Sequence, residues 1–283
     1  MVAAYYCEAG LAIYHGDCRL VLPTLPAGSF DLMLTSPPYD NAREGAYQSI
    51  SLDDLEALGL EAIRLLKPGG VAVWVIDGPV NDRARSTTPF EMVCRWSRLP
   101  GWRFLECLIY GRLGAPGAYT GRFRKDHEYM PVFVKDGAEH VCDKRALATR
   151  AVFGSKRGGL RTTSIRNRDG SLATKVPSGW AVENNMKMPG TVWEYGGVGA
   201  GNDPSTDTGH PAVFPEALAR DVVTCFSRPG DHVLDPFSGS GTTARACKDL
   251  GRSCSAVEIE SKWCDAAIRR LGQSVLDFDG VRS

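Results

Sequence analysis

A hydroxyl, two prolines and an aromatic ring follow one another in Ser36-Pro37-Pro38-Tyr39. This tetrapeptide comes just after the apolar run Phe30–Leu34, which predicts a short buried strand. The prolines stop the strand's hydrogen-bond ladder and stiffen the backbone where the strand ends. Such a turn presents the Ser36 hydroxyl, the Pro37 carbonyl and the Tyr39 ring in fixed positions. These groups suit a flat substrate that carries an amine, with acceptors for the NH2 group and a ring to stack on.

A second stretch with the pattern of a ligand-binding turn lies far downstream. Residues 233–243 read VLDPFSGSGTT, which predicts an apolar strand, a glycine-rich turn and the start of a helix. The glycines let the backbone pass close to a ligand. The turn is not a phosphate loop, because GKS and GKT are absent. Ala244 stands where a dinucleotide loop has its third glycine, and since some of those folds accept alanine, a nicotinamide cofactor stays open.

Together the two stretches resemble the DNA amino-methyltransferases that use S-adenosylmethionine. The tetrapeptide is similar to their catalytic (D/N/S)PP(Y/F) motif, and Phe237, Gly239 and Gly241 are similar to their FxGxG cofactor loop. The catalytic motif precedes the loop, as in the permuted β-group. The resemblance covers nearly the whole chain apart from a variable middle. It implies an α/β, Rossmann-like, mostly parallel sheet with helices on both faces, a circularly permuted class I methyltransferase fold.

The resemblance also implies which residues hold S-adenosylmethionine. The ammonium of a methionine zwitterion needs a carboxylate, and its carboxylate needs amide or hydroxyl donors. Asp17 matches an acid near the adenine end, with a plain helix N-cap as the alternative. Glu258 matches the acid that takes the ribose hydroxyls, with Glu260 as its rival. The predicted cofactor residues are Asp17, Thr35, His210, Phe214, Asp235, Phe237, Ser238, Gly239, Gly241, Thr242, Thr243 and Glu258.

The implied reaction is methyl transfer to the exocyclic amine of a DNA base that has left the duplex. The predicted catalytic residues are Ser36, Pro37, Pro38 and Tyr39, which position the amine and stack on the base. No metal is predicted, because the sulfonium is already a strong methyl donor. Serine in the first motif position is more frequent among cytosine-N4 enzymes, so N4 of cytosine is favoured over N6 of adenine. A lone histidine, His127, is interpreted as structural rather than as a base.

Two other classes stay open at this point. One is a nicotinamide-dependent oxidoreductase that uses the glycine turn for its cofactor. The other is a catalytically silent DNA-binding protein that keeps the fold. Measuring whether the protein binds a nicotinamide cofactor or S-adenosylmethionine tests the first alternative. Measuring the transfer of a labelled methyl group tests the second.

The charge is unevenly distributed, although the net charge is zero. Residues 112–175 carry fourteen Lys and Arg against six Asp and Glu, so the rest of the chain is acidic. A localised excess of cations indicates a phosphate-binding surface, with a solvated charged face as the alternative. Residues 137–206 lack clear periodicity and are predicted to be a small, irregular target-recognition region. The predicted DNA-binding residues are Arg112, Arg122, Arg124, Lys125, Arg161, Arg166 and Arg168.

Residues 1–136 and 207–283 are predicted to form the catalytic and cofactor-binding domain. Apolar periodicity within them indicates one β–α–β crossover and hence a partly parallel sheet. The predicted helices cover 52–66, 90–99, 216–226, 242–250 and 263–271. The predicted strands cover 7–14, 30–34, 71–76, 102–110, 130–134 and 232–234, and a further strand is predicted to end at 257–259.

Composition places the chain in the cytoplasm. No apolar run is long enough to span a membrane, and no secretory signal is evident at the start. Nine scattered cysteines without CxxC pairs are typical of reduced thiols. Double-stranded DNA is the predicted partner. A homodimer and a cognate restriction endonuclease are further partners that the sequence leaves open.

Overall fold

A nine-stranded sheet organises most of the described residues in the computed structural model. Its order is β1-β2-β15-β14-β3-β4-β8-β7-β13. The structure describes residues 2–38, 50–81, 84–113, 121, 123, 125–150, 163–167, 169, 171–175, 186–196 and 213–273. The strands are β1 (Tyr6–Glu8), β2 (Leu11–His15), β3 (Phe30–Thr35), β4 (Leu66–Trp74), β5 (Val80–Asn81), β6 (Ala84–Arg85), β7 (Trp102–Leu113), β8 (His127–Lys135), β9 (Thr149–Arg150), β10 (Thr163–Arg166), β11 (Leu172–Lys175), β12 (Met186–Lys187), β13 (Val192–Gly196), β14 (His232–Asp235) and β15 (Ser253–Glu258).

Five neighbouring strands of this sheet, β2, β15, β14, β3 and β4, run parallel. Strand β8 is antiparallel to β4 and β7, while β13 is parallel to β7 and β1 is antiparallel to β2. The carboxyl ends of the five parallel strands therefore meet at one edge. In open α/β sheets, ligands bind outside this edge.

Helices cover both faces of the sheet. They are α1 (Cys18–Val21), α2 (Leu52–Leu65), α3 (Thr88–Trp96), α4 (Glu216–Phe226), α5 (Thr242–Leu250) and α6 (Ser261–Gly272), with 3-10 turns at Leu22–Thr24 and Lys144–Leu147. One apolar cluster joins α2 and α3 to Met33 and Trp74. Leu32 and Leu34 are also buried but lie outside that cluster, and α4 contacts their strand. Because side chains alternate along a strand, the two sets face opposite sides.

Helix α2 shows how local signals set the element boundaries. Ser51 accepts a hydrogen bond from the Asp54 amide at 3.0 Å, and the Asp54 carboxylate accepts one from the Ser51 amide at 3.3 Å. This capping box satisfies two backbone donors that the first turn would otherwise leave unpaired. The predicted helix is confirmed, and it ends at Leu65.

Most predicted elements are confirmed, with three differences. The predicted first strand is a hairpin, β1–β2, because Ala9 and Gly10 both have positive φ and turn the chain. Strand β4 begins at Leu66 rather than residue 71, since Leu66 already pairs with Phe30. Residues 192–196, predicted to be irregular, form β13 and pair with β7. That pairing joins residues about eighty positions apart in the chain, so no local sequence pattern predicts it.

The chain divides into two compact units. The first comprises residues 1–142 and 191–283, and the second comprises 143–190. The second unit is shorter than the predicted range 137–206, because β13 belongs to the large sheet. It contains the two-stranded sheets β10–β11 and β9–β12. Among the described residues, no helix is long and apolar enough to cross a membrane.

Candidate active site and cofactor loop

The two motif-bearing strands are neighbours. Strand β14 pairs in parallel with β3, in the register Val233 with Leu32 and Leu234 with Met33. The Thr35 hydroxyl donates to the Asp235 carboxylate at 2.6 Å, and both residues are buried. The Ser36-Pro37-Pro38 turn and the glycine turn therefore leave the same sheet edge side by side. Ser36 and Pro38 are half-buried and Pro37 is buried, whereas Tyr39 lies outside the described residues.

Asp235 is buried, and its carboxylate accepts hydrogen bonds from a neighbouring hydroxyl and a backbone amide. Burial raises the pKa of its carboxyl to about 6, and hydrogen bonds from the Thr35 hydroxyl and the Phe237 amide oppose that rise. A buried carboxylate is costly unless a cation or strong donors meet it. This arrangement suits a positively charged ligand, and the cofactor role of Asp235 stays a prediction.

The glycine turn has a conformation that its residue types make possible. Gly239 and Gly241 have φ of 50° and 81°, in the left-handed region that favours glycine. A Cβ on Gly241 would also lie 2.7 Å from the Ala267 Cβ of α6. The turn is anchored by the Ser238 amide, which donates to the Val257 carbonyl at 2.9 Å. Gly241 is thus required both for its backbone conformation and for the close approach of α6.

Both carboxylate oxygens of Glu258 accept hydrogen bonds from backbone amides, one of which belongs to the glycine turn. One accepts from the Gly239 amide at 2.9 Å and the other from the Glu260 amide at 2.8 Å. Burial raises the pKa of Glu258, and these amide hydrogen bonds oppose the rise. Each oxygen keeps a further lone pair that a hydroxyl can use. Its rival Glu260 is exposed, so the geometry favours Glu258 as the ribose acid.

The hydroxyls around the turn have different surroundings. Thr242 accepts from Arg270 at 3.0 Å, and Arg270 also pairs with Glu216 at 2.6 Å. Thr243 is fully buried in the first turn of α5. Ser238 and Ser240 carry buried hydroxyls without a hydrogen-bond partner among the described residues.

Arg270 and Ala267 were missed by sequence reasoning. The sequence predicts only that residues 263–271 form a helix. No local signal shows that this helix braces the cofactor turn, because the contacts join distant parts of the chain.

Asp17 caps a helix, as its alternative interpretation predicted. Its carboxylate accepts from the Arg19 amide at 2.9 Å, and the Arg19 guanidinium binds it at 2.7 Å. The hydrogen bonds from Arg19 lower the pKa of Asp17, while partial burial opposes this. The Gly16 amide donates to the Glu258 carbonyl, which places Asp17 beside the end of β15. The cofactor role of Asp17 stays a prediction.

Two other predicted cofactor residues are aromatic. Phe237 is half-buried and packs against the apolar cluster beneath α2 and α3, and Phe214 is half-buried just before α4. His210 lies outside the described residues.

The predicted DNA-binding residues are not equivalent. Lys125 pairs with Asp77 and its side chain is only 11% exposed, while Arg112 pairs with Glu128 at 3.3 Å. Lys125 is therefore neutralised inside the protein by a carboxylate near the end of β4, which does not fit a free phosphate contact, whereas Arg112 is half-buried and paired on the neighbouring strands β7 and β8. Arg166 is exposed on β10. Outside the described residues lie Arg122, Arg124, Arg161 and Arg168.

His127 lies at the start of β8, on the rim of the same edge. Its Nδ1 is 3.3 Å from an Asp126 carboxylate oxygen, and its ring meets the edge of Tyr129. These contacts fit the structural interpretation of this histidine.

Comparisons with known proteins identify the family of the chain. A model of the DNA methylase family of N6/N4 methyltransferases matches residues 30–269, so the chain belongs to this family. The type II methyltransferase M.SmaI of Serratia marcescens is 48% identical over 295 residues, covering 90% of this chain and 89% of the relative. The predicted family is confirmed, and a nicotinamide-dependent oxidoreductase is excluded.

Solved structures share the fold. The cytosine-N4-specific PvuII DNA methyltransferase has a TM-score of 0.70 at 18% identity, covering 96% of this chain and 89% of that chain. The M1.HpyAVI–SAM complex has a TM-score of 0.62 at 21% identity, covering 92% of this chain and 98% of that chain. The predicted α/β class with a mostly parallel sheet is confirmed.

Proposed function

We propose that this DNA methyltransferase transfers a methyl group from S-adenosylmethionine to N4 of a flipped cytosine, with N6 of adenine as the alternative. The observation that carries the proposal is the hydrogen bond between Thr35 and Asp235. It joins the proline turn and the glycine turn at one sheet edge. A methyl donor held by the second turn would therefore lie beside an amine held by the first.

The residues around the glycine turn fit this cofactor. Asp235 offers a buried carboxylate for the ammonium of the methionine moiety. Glu258 has spare acceptor capacity for the ribose hydroxyls, and the unpartnered Ser238 and Ser240 hydroxyls are additional donors. Asp17 is assigned to the adenine end of the cofactor. When bound, S-adenosylmethionine supplies a methyl group activated by its positive sulfur.

The proline turn positions the amine. The lone pair of an exocyclic amine is delocalised into the base ring, so the nitrogen is a poor nucleophile. Hydrogen bonds from the amine to the Ser36 hydroxyl and the Pro37 carbonyl would hold the nitrogen in line and favour tetrahedral geometry. Pro38 keeps the turn rigid, and Tyr39 is the surface on which the base stacks. Catalysis is then positioning and electrostatics, without a covalent enzyme intermediate.

Cytosine is favoured by the serine in the first motif position. The family includes enzymes of both N6 and N4 type, so the modified nucleoside must be measured. We expect N4-methylcytosine in hydrolysed DNA by mass spectrometry. N6-methyladenine in its place would select the alternative.

The second unit and its flanks, within 137–206, are assigned to target recognition, and 1–136 with 207–283 to catalysis. A type II relative suggests a restriction–modification context, with a cognate endonuclease as the functional partner. The nine cysteines are all free, which supports a reducing compartment such as the cytoplasm. Light scattering would test whether the protein forms a homodimer.

The division of roles between the two turns is tested with Ser36→Ala and Asp235→Asn. Loss of one pre-organised hydrogen-bond partner predicts an approximately 10²-fold lower turnover for Ser36→Ala, with cofactor Kd nearly unchanged. Asp235→Asn keeps an acceptor for Thr35 but removes the charge, so cofactor Kd should rise while turnover at saturation changes less. Calorimetry and tritium transfer measure the two quantities.

Ser29→Ala is a matched control, because Ser29 precedes the same strand at the opposite edge and its side-chain hydroxyl donates to the Pro26 carbonyl, away from both turns. It should leave both quantities unchanged. Equal losses of affinity and turnover in Ser36→Ala and Asp235→Asn would contradict the assignment. Cofactor-independent DNA binding without any methyl transfer by the unaltered protein would identify a silent DNA-binding protein.

A further inference from the structure

The strands β10 and β11 form a two-stranded antiparallel ribbon. Their register pairs Thr163 with Lys175 and Arg166 with Leu172, and no third strand joins them in the part of the chain that the structure describes. A two-stranded ribbon standing alone is only marginally stable in water. It therefore needs either local stabilisation or a partner.

The local stabilisation comes from side chains at the tip. The Asn167 amide donates to the Ser171 carbonyl at 2.8 Å, and its side chain donates to the Ser171 hydroxyl at 2.9 Å. Asp169 accepts from the Ser171 amide at 2.9 Å and from its hydroxyl at 2.6 Å. These hydrogen bonds lower the pKa of Asp169. These bonds link Asn167, Asp169 and Ser171, all of which are exposed to solvent, at the end of the ribbon.

The ribbon presents an unusual pair of side chains to solvent. Arg166 is exposed, and Leu172, its cross-strand partner, is 70% exposed. Directly paired residues lie on one face of a ladder, so a cation and an apolar side chain stand next to each other. Among the described residues of the second unit, none covers this leucine. By sequence the ribbon also carries Arg168 and Lys175 against the single acid Asp169, so its charge is positive.

This chemistry matches one surface of duplex DNA. The major groove admits a two-stranded ribbon, and its base edges present acceptors on guanine and a methyl group on thymine. An arginine forms paired hydrogen bonds with guanine O6 and N7, whereas an apolar side chain contacts the thymine methyl. The positive charge of the ribbon complements the phosphates on both sides of the groove.

We propose that the β10–β11 ribbon reads the target sequence by entering the major groove, with Arg166 on a guanine and Leu172 on a thymine methyl. The inference rests on the proposed function, because it takes DNA as the substrate. It adds which element, and which two side chains, select the site.

The test compares Arg166→Ala, Arg166→Lys and Leu172→Ala with the control Arg228→Ala. Arg228 is an exposed arginine in the other unit, just before β14, so its loss removes the same charge without touching the ribbon. Each full-length variant is incubated with a pool of randomised duplexes. Methylated and bound molecules are sequenced separately.

Arg166→Ala should relax selection at one G·C pair by about 5- to 150-fold, the range for a paired arginine contact. Arg166→Lys should be intermediate, because lysine lacks the planar fork. Leu172→Ala should relax selection at a position where thymine is preferred, and Arg228→Ala should leave the selected site unchanged. Thermal unfolding of all four variants should match that of the unaltered protein, since these side chains are exposed.

Two results would overturn the inference. One is an unchanged site preference in Arg166→Ala. The other is a uniform loss of DNA affinity, with a smaller salt dependence and no change in the selected site, which would make Arg166 a phosphate contact. The bound DNA molecules are sequenced whether or not they carry a methyl group, so this test works even if no methylated product forms. Absence of product from the unaltered protein would count against the proposed function alone.

Discussion

Within the cofactor turn, Gly241 should be the position at which the addition of one methyl group, as in Gly241→Ala, has the largest effect. Alanine at this position must adopt a φ near 81°, and its Cβ would lie 2.7 Å from the Ala267 Cβ. Left-handed backbone costs an L-residue about 1–2 kcal/mol, and overpacking adds about 1–3 kcal/mol. Gly241→Ala is therefore expected to lower the free energy of unfolding by roughly 2–5 kcal/mol.

Gly251→Ala separates the two contributions. Gly251 has a φ of 70°, and a Cβ there would meet no atom within 4 Å. Its substitution should cost only the backbone term of about 1–2 kcal/mol. Ala267→Gly combined with Gly241→Ala should recover the packing term, about 1–3 kcal/mol, as a coupling energy in a double-mutant cycle.

Urea unfolding followed by circular dichroism measures these free energies, and calorimetry with S-adenosylmethionine measures the effect on the site. Gly241→Ala should weaken cofactor binding because α6 and the turn cannot keep their separation, whereas Gly251→Ala should bind normally. Equal destabilisation by the two substitutions, or no coupling between positions 241 and 267, would refute the idea that α6 braces the turn by close contact.

Two further predictions concern buried charge. The pKa of Asp235 in the folded protein is raised to about 6, so between about pH 4 and 6 the folded state holds a proton that the unfolded state has lost, and stability falls as pH rises through this window. Asp235→Asn should remove up to ~3 kcal/mol of this fall in the free energy of unfolding. Urea unfolding across pH 4–7 measures the difference from the unaltered protein. If the pH dependence of the two proteins runs parallel, the account of a buried carboxylate is contradicted. Lys125→Met should destabilise the protein by about 2–3 kcal/mol, because among the described residues it leaves the largely buried Asp77 with only the more distant Arg85, yet it should not alter the salt dependence of DNA binding. Loss of one salt-dependent contact with normal stability would instead place Lys125 on the DNA.

The local elements and the class of protein could be predicted from the sequence because their signals are short-range. The capping box at Ser51, the apolar periodicity of α2 and the glycines before α5 each act within a few residues. The proline turn and the glycine turn also carry their chemistry in adjacent residue types. These signals were enough to predict the family and the parallel sheet.

The contacts that make a site depend on which strands become neighbours, and this is a property of the whole sheet. The bond from Thr35 to Asp235 crosses 200 positions of sequence, and β13 joins β7 through a pairing that no local pattern marks. The burial of Lys125 is decided in the same way, since its partner Asp77 belongs to another part of the chain. Basic residues look alike in a sequence, and only the folded arrangement distinguishes a neutralised internal cation from the exposed Arg166. The sequence by itself determined which groups are present, whereas the tertiary structure decided which of them meet, because burial and long-range pairing are set by the packing of the complete sheet.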